Sequence, residues 1–205
     1  MSSAGPQARE QADTEREVDD AALIAESLHA PERFAVLFDR HAIAIHRYLA
    51  RRLGPDAADD LVAETFLVAF QRRQRYDTTH PGARPWLYGI ATNLAGRRRR
   101  DEVRFFRALS RTGIDPAAEP VADRVTERVT AQAARGELAA ALAGLSQGDR
   151  DVLLLAAGGL GYAEAARALG VPVGTVSSRL ARARRKVREA LGGVDPTDVT
   201  RGISP

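Results

Sequence analysis

The 205-residue sequence contains no cysteine, one methionine, one tryptophan and only 5% aromatic residues. Without cysteine it has neither disulfides nor thiolate metal sites. Its four histidines, His29, His41, His46 and His80, are dispersed, and such a set does not make a metal cluster. His41 and His46 read as helix-face residues. No metal and no cofactor are expected. Scarce aromatics beside abundant alanine exclude a β-sandwich built on large side chains and favour close helix packing. No run reaches the roughly 18 apolar residues that span a bilayer. The N-terminal segment is acidic and polar where a signal peptide is basic and then apolar. A cytoplasmic protein without a membrane partner is therefore expected.

What is present is charge, unevenly placed. The chain is 44% hydrophobic and 28% charged, a balance that suits small folded units rather than a disordered polypeptide. We expect an all-α protein of two small helical domains joined by a flexible linker. The formal charge of +3 hides the polarity. Residues 1–32 hold two arginines against eight acids, a balance of −6. Segment 97–111 holds seven arginines against Asp101 and Glu102, and segment 178–188 holds six cations and no acid. Two separate basic patches point to a polyanion touched at two places.

Along the chain, Leu23, Ile24, Leu28, Phe34, Leu37, Phe38, Ile45, Tyr48 and Leu49 recur at helical spacing with a break at Ala30-Pro31, so two helices are predicted between Asp20 and Leu53. Pro31 suits the first turn of the second, and Gly54-Pro55 ends it. Asp56 is expected to cap a third helix, DAADDLVAETFLVAFQRR, with Leu61, Val62, Thr65, Phe66, Ala69 and Phe70 on its apolar side and acids near its N-terminus. The turn formers of Asp77 to Pro85, DTTHPGARP, make a loop. A long fourth helix then carries Leu87, Ile90, Ala91 and Leu94 on its buried stripe, with Trp86, Tyr88, Asn93 and Arg97 off it, and runs into the first basic patch.

Periodicity is lost from Ser110 to about Thr130, which reads as a linker. The expected layout is an acidic tail (1–19), a first helical domain (20–109), the linker (110–135), a second domain (136–191) and a tail (192–205). In the second domain Ser146 with Asp149 forms the S-x-x-D variant of a capping box. A helix ending at Gly158-Gly159 follows, then a short one from Tyr162 to Leu169, which Gly170 leaves in a left-handed conformation.

The stretch VPVGTVSSRLARARRKVREAL, Val171 to Leu191, closes the pattern. Val176, Leu180, Ala183, Val187 and Ala190 fall on one apolar stripe of a helix, and Thr175, Ser178, Arg179, Arg182, Arg185 and Lys186 on the other side. Taken alone, a solvated helix whose cations complement its dipole is the plainer alternative. Preceded by a short helix and a glycine turn, it has the layout of a helix-turn-helix. Ala166 lets the two helices cross closely, while Thr175, Ser177, Ser178, Arg179 and Arg182 are left to meet DNA, hydroxyls near the groove floor and arginines on phosphates or a guanine edge.

Both halves resemble one family. LSQGDRDVLLLAAGGLGYAEAARALGVPVGTVSSRLARARRKVREAL resembles region 4 of the extracytoplasmic-function sigma factors of the sigma-70 family. DAADDLVAETFLVAFQRRQRYD resembles region 2.2, and PWLYGIATNLAGRRRR resembles regions 2.3 and 2.4. The likeness implies a subunit that binds bacterial RNA polymerase core at its clamp and flap, recognises the −35 and −10 promoter elements and promotes melting. It implies no enzymatic activity. For the −35 element it assigns Pro172, Thr175, Ser177, Ser178, Arg179, Ala181, Arg182, Arg185 and Lys186. For the −10 element and melting it assigns Asp77, Trp86, Tyr88, Asn93 and Arg97, Arg98, Arg99 and Arg100. For core binding it assigns Asp60, Leu61, Val62, Glu64, Thr65, Phe66 and Phe70. An anti-sigma factor is a further partner the likeness allows. Ser177 and Ala181 depart from the larger residues common at those positions, and Gly161 replaces the usual Ser or Thr cap, a change of a few tenths of a kcal/mol.

The principal rival is a two-domain helix-turn-helix regulator that never substitutes for a sigma subunit. Such proteins usually dimerise, and no dimerisation heptad is present. An enzyme is disfavoured because Asp59, Asp60 and Glu64 stand at a helix start without a histidine or glycine-rich loop nearby.

Overall fold

The computed structural model describes residues 19–112 and 125–192, and among them every regular element is helical. The expected N-terminal tail up to residue 18, residues 113–124 of the linker and the C-terminal tail from residue 193 lie outside the described residues. We number the helices α1 (Asp20–Glu26), α2 (Ala35–Leu53), α3 (Pro55–Arg72), α4 (Arg84–Arg97), α5 (Arg99–Thr112), α6 (Val125–Gly144), α7 (Gln147–Ala157), α8 (Tyr162–Leu169) and α9 (Val173–Ala190). Short 3-10 turns at Pro31–Phe34 and Arg73–Arg75 lead into α2 and out of α3. The two small helical units expected from the sequence are α1–α5 and α6–α9.

Residue chemistry accounts for most boundaries. The Asp19 carboxylate accepts the Ala21 N–H at 3.0 Å and caps α1. Gly54, at φ 90, ends α2 and opens α3 with no side-chain cap, and Pro55 fills the first helical turn. Asp56 is thus a first-turn residue of α3 and not its cap, because Pro55 has no N–H to satisfy. Ser146 accepts the Asp149 N–H at 3.2 Å and caps α7 as expected. At Gly161 the cap has no side chain, but Glu164 reaches back to accept the Gly161 N–H at 2.8 Å, which is half of a capping box. Gly170 takes φ 63, ψ 36, and the Val171 N–H reaches the Ala166 carbonyl at 3.1 Å, the Schellman closure that aims the chain into α9.

Two boundaries differ from expectation. The single long fourth helix is two helices, α4 and α5, broken at Arg98, whose N–H bonds the Ala95 carbonyl. The break turns Glu102 and Phe106 inward, where both are almost fully buried. Secondly, α6 already begins at Val125, inside the stretch read as linker.

The larger difference lies between the halves. The apolar core is continuous from Leu23 of α1 to Val187 of α9. In the first half α2 and α3 pack lengthwise and both cover α4; in the second α7, α8 and α6 cover α9; α5 packs on α6 and α4 packs on α8. At that last contact a Cβ on Gly89 would sit 2.5 Å from the Ala168 carbonyl oxygen, so no side chain fits there. The two units, expected to be joined by a flexible linker, here also share a seam.

Four charged side chains fill the seam. Arg52 of α2 donates from Nε to Glu102 Oε1, from Nη1 to the Tyr48 hydroxyl and from Nη2 to Asp151 Oδ1, each at 2.7 Å. Arg150 of α7 donates from Nη1 to Glu102 Oε2 at 2.9 Å and from its other nitrogens to the Leu142, Ala143 and Leu145 carbonyls. Each Glu102 oxygen thereby takes one guanidinium, and the cluster is neutral overall. Arg52 and Glu102 are 0% exposed and Arg150 is 1% exposed. Burial opposes the Arg52 charge, but Tyr48, Glu102 and Asp151 outweigh it and hold the guanidinium above its ordinary range.

Candidate nucleic-acid and polymerase interfaces

In α9 the apolar stripe folds inward as predicted for Val176, Leu180, Ala183 and Val187, all buried. Ala190 is exposed and does not belong to it. Packing of this stripe on α7 and α8 fixes which side faces water. Ser177, Ser178, Ala181 and Arg185 point outward, Thr175 is half-buried, and Pro172 is the exposed N-cap residue. Ser178 donates to the Thr175 carbonyl at 3.1 Å, so that its hydroxyl lies along the helix start.

Arg179, Arg182 and Lys186 leave that face sideways, towards the first turn of α7. The Arg179 guanidinium lies across Gly148, where a Cβ would come within 3.0 Å of it. Asp149, itself buried, pairs with Arg182 at 3.2 Å and with Lys186 at 4.0 Å. The sequence reading took Asp149 only as part of a cap. Its backbone N–H does serve the cap, while its carboxylate orients two cations of α9. Both cations remain nearly half exposed, so this is a restraint worth at most about 1 kcal/mol.

The loop before α4 is held from within. Asp77 accepts from the Thr79 N–H and hydroxyl at 3.0 and 2.7 Å, and these bonds hold its carboxyl below the ordinary range. Tyr76 donates to the His80 carbonyl at 2.7 Å, and its ring meets Trp86 at 5.0 Å between centroids. Burial, with Asp20 and Asp19 nearby, pushes the Tyr76 hydroxyl up to about 12. At the far side of the loop, Asp20 accepts from Arg40, His41 and the Ala83 N–H at 3.1, 2.8 and 2.9 Å. Burial would raise this carboxyl; those three donors reverse the effect and hold it below its ordinary value.

Of the residues assigned to the −10 element, Asp77, Asn93, Arg97, Arg99 and Arg100 are exposed, and Trp86 and Arg98 are half-buried. Tyr88 is a correction. Its ring is 3% exposed, packs on Tyr48 at 5.1 Å between centroids and lies under Gly158 of the second half. Arg84, beside it, donates to the Gly158 and Gly159 carbonyls. In this arrangement the Tyr88 ring is not available to a base. The sequence placed it off the single apolar stripe of α4, but α4 is covered on two sides, by α2 and α3 and again by α8.

The core-binding set needs a similar correction. Leu61, Val62, Thr65 and Phe66 are buried, with the Thr65 hydroxyl spent on the Leu61 carbonyl, so they hold α3 in place and present almost nothing to a partner. Asp60 is exposed, and Glu64 and Phe70 are half-buried. The apolar surface on offer is mainly another one: a groove between α2 and α3 lined by Phe38, Ala42, Ile43, His46 and Ala63, in which Val62 shows only a small edge. Phe38 is 44% and Ile43 64% exposed, and Leu67 stands out from α3 at 56%. Phe38 is fixed there by edge-to-face contact with Phe66 at 4.9 Å. The sequence reading counted Phe38 as core; Ile43, which falls outside that stripe, was the available sign of a second apolar face.

Comparison with known proteins bears on both halves. The family model for Sigma-70 region 2 matches residues 37–105, and the one for Sigma-70, region 4 matches residues 135–187. The chain is 35% identical over 162 residues to the probable RNA polymerase sigma-C factor of Mycobacterium bovis, an alignment covering 76% of this chain and 80% of that one. The chain belongs to the sigma-70 family. Within that family its relatives are of the extracytoplasmic-function group. It is 36% identical over 157 residues to the ECF RNA polymerase sigma factor SigL of Mycobacterium tuberculosis, covering 76% of this chain and 86% of SigL. The RNA polymerase sigma factor CnrH of Cupriavidus metallidurans is 32% identical over 185 residues, covering 84% and 94% of the two chains. A solved structure of CnrH in complex with the cytosolic domain of CnrY superposes with a TM-score of 0.57 at 27% identity, covering 90% of this sigma-family chain and 99% of the other. The buried cluster of Arg52, Glu102, Arg150 and Asp151 joins the two matched regions, and none of its members was singled out from sequence. Arg52 offered the one usable sign, since it continues the buried Ile45 and Leu49 stripe of α2 by three residues.

Proposed function

We propose that the chain is the promoter-recognition subunit of a bacterial RNA polymerase. It binds core polymerase through region 2, reads the −35 element with α9, and engages the −10 element with the end of α4 and the loop before it. The work is binding and strand separation, without covalent chemistry. The observation that carries this reading is the presence of both sigma-70 regions in order on one chain. A free-standing helix-turn-helix regulator has no use for region 2.

The surface chemistry supports each assignment. The outward side of α9 offers small hydroxyls at its N-terminal end, where a recognition helix meets base edges, and Arg185 farther along, where cations meet phosphates. At the −10 element, flipping a base costs a few kcal/mol, and stacking on an aromatic ring returns about 1–3 kcal/mol per base. With Tyr88 covered, Trp86 is the remaining assigned ring that can supply it. For core docking, the groove beside Phe38 and Ile43 supplies apolar contact and the acids Asp59 and Asp60 supply charge. CnrH was captured with a protein partner, and an anti-sigma protein is the second partner proposed for this chain.

The test is gel filtration of the chain with purified bacterial core polymerase. Co-elution is expected, and the double variant Asp60→Lys, Glu64→Lys is expected to weaken it at unchanged helicity. Elution apart from core would return the chain to the regulator reading.

A further inference from the structure

Resting on the promoter-binding reading, and deepening it, we propose that α5 carries a sequence-independent DNA contact: a rail of Arg100, Arg104, Arg107 and Arg111 that holds phosphates of the duplex between the two promoter elements. The four arginines are spaced by four, three and four residues, so they fall on one side of the helix, and their ends are about 16 Å apart along it. The opposite side is pinned. Glu102 and Phe106 are buried, and Phe105 packs beside Gly54, so the rail cannot roll inward.

All four side chains are exposed, and they line a shallow groove with Arg99 and Val103. Asp101 meets Arg104 at 3.4 Å in an exposed pair. Among the described residues no carboxylate pairs with Arg100, Arg107 or Arg111. Folding does not call for this arrangement. Like charges three and four residues apart repel along a helix, and Arg99 and Arg100 stand at the end of α5 where the dipole disfavours cations.

A polyanion relieves both costs. Duplex DNA presents one phosphate per about 3.4 Å of axis on each strand, so a rail of about 16 Å passes about five of them, and guanidinium matches phosphate in a two-pronged bond. An acidic protein partner fits less well, because Val103, itself half-buried, is the one apolar residue among the six that line the groove. α5 also starts next to Arg97 and Arg98, across the break at Arg98, and the promoter reading sets these two at the downstream element, so the duplex next to that element is what lies in reach.

The experiment uses holoenzyme reconstituted from core polymerase and the full chain, and measures promoter-fragment affinity against salt. The double variant Arg107→Gln, Arg111→Gln is expected to reduce the slope of log affinity against log salt by about 1.8. Raising salt fourfold then costs it about twelvefold less affinity than it costs the wild type. Base preference at both elements and core affinity are expected to be unchanged, and Arg107→Lys, Arg111→Lys is expected to keep the slope. On a fragment whose spacer phosphates are replaced by neutral methylphosphonates, wild type and Gln variant are expected to coincide. An unchanged slope, or an equal reduction on the neutral-spacer fragment, overturns the rail. A loss of core affinity instead assigns it to the polymerase and overturns the DNA contact. Failure of the wild type to select a promoter at all removes the sigma reading and the rail with it, a result distinct from any seen only in the variant.

Discussion

Helices α5 and α9 are both basic and amphipathic, yet they are held by opposite means. α9 rests on a stripe of Val176, Leu180, Ala183 and Val187, which only needs removal from water and finds any apolar surface acceptable. α5 rests on Phe106 and on Glu102, a carboxylate that is tolerable in the interior because Arg52 and Arg150 each take one of its oxygens. The comparison teaches that a cationic outer face says little about the inner one. A helix anchored by apolar contact can be replaced piecemeal, whereas one anchored by paired charges depends on partners from α2 and α7 that are distant in sequence.

The widest separation between the two should come from removing the anchors. Glu102→Ala removes the carboxylate shared by two buried guanidiniums, leaving Arg150 with no charged partner and Arg52 with Asp151 alone, and is expected to cost about 3–5 kcal/mol. Because its partners stand in both halves, urea unfolding followed by far-UV circular dichroism should show the whole chain destabilised. A loss below about 1 kcal/mol would mean that the seam is not formed in solution. Leu180→Ala is expected to cost about 2–5 kcal/mol, with the loss concentrated in α7–α9. Native-state hydrogen exchange should then show α2 and α3 still protected, and equal loss of protection in both halves would erase the contrast.

How much of this was legible follows the same division. Periodicity located α9, its buried stripe, the glycine turn at Gly170 and the Ser146 cap, because each depends on residues within a few positions of one another. Resemblance supplied the family. Tyr88 and the core-binding set come from resemblance, which carries a role to a position without saying which neighbours cover it. Leu61, Val62, Thr65 and Phe66 lie on the apolar side of α3, and that side faces the core. Tyr88 lies off the stripe of α4 and is buried nonetheless, since Gly158 of the other half covers it. The cluster of Arg52, Glu102, Arg150 and Asp151 spans about a hundred residues of sequence, and no local pattern carries it.

A smaller effect distinguishes the outer faces. Arg182 is restrained by Asp149 but half exposed, so Arg182→Ala should change stability by no more than about 1 kcal/mol. The same variant should relax discrimination at one upstream base pair by about 1–3 kcal/mol, measured by competition between wild-type and single-substituted promoter fragments. If stability moved and discrimination did not, Arg182 would be a structural partner of α7 and no reader of DNA.

The smallest effect is on acidity. The Asp20 carboxyl is held below its ordinary value of 3.8 in the folded chain. Its stabilising bonds are therefore fully present above that value and are lost as pH falls through the lower, folded one. The denaturation midpoint should be insensitive to this group near neutrality and should fall on acidification below about pH 4. Asp20→Asn should remove that part of the acid dependence and leave the thermal response of α9 as it was.

The central claim is that this chain confers promoter selection on a polymerase that otherwise lacks it. Run-off transcription from a genomic fragment library, with bacterial core polymerase alone and with the chain added, tests it directly. Discrete transcripts appearing only with the chain, from fragments sharing two spaced sequence elements, are the predicted result; an identical transcript pattern with and without the chain, despite active core, would contradict the account.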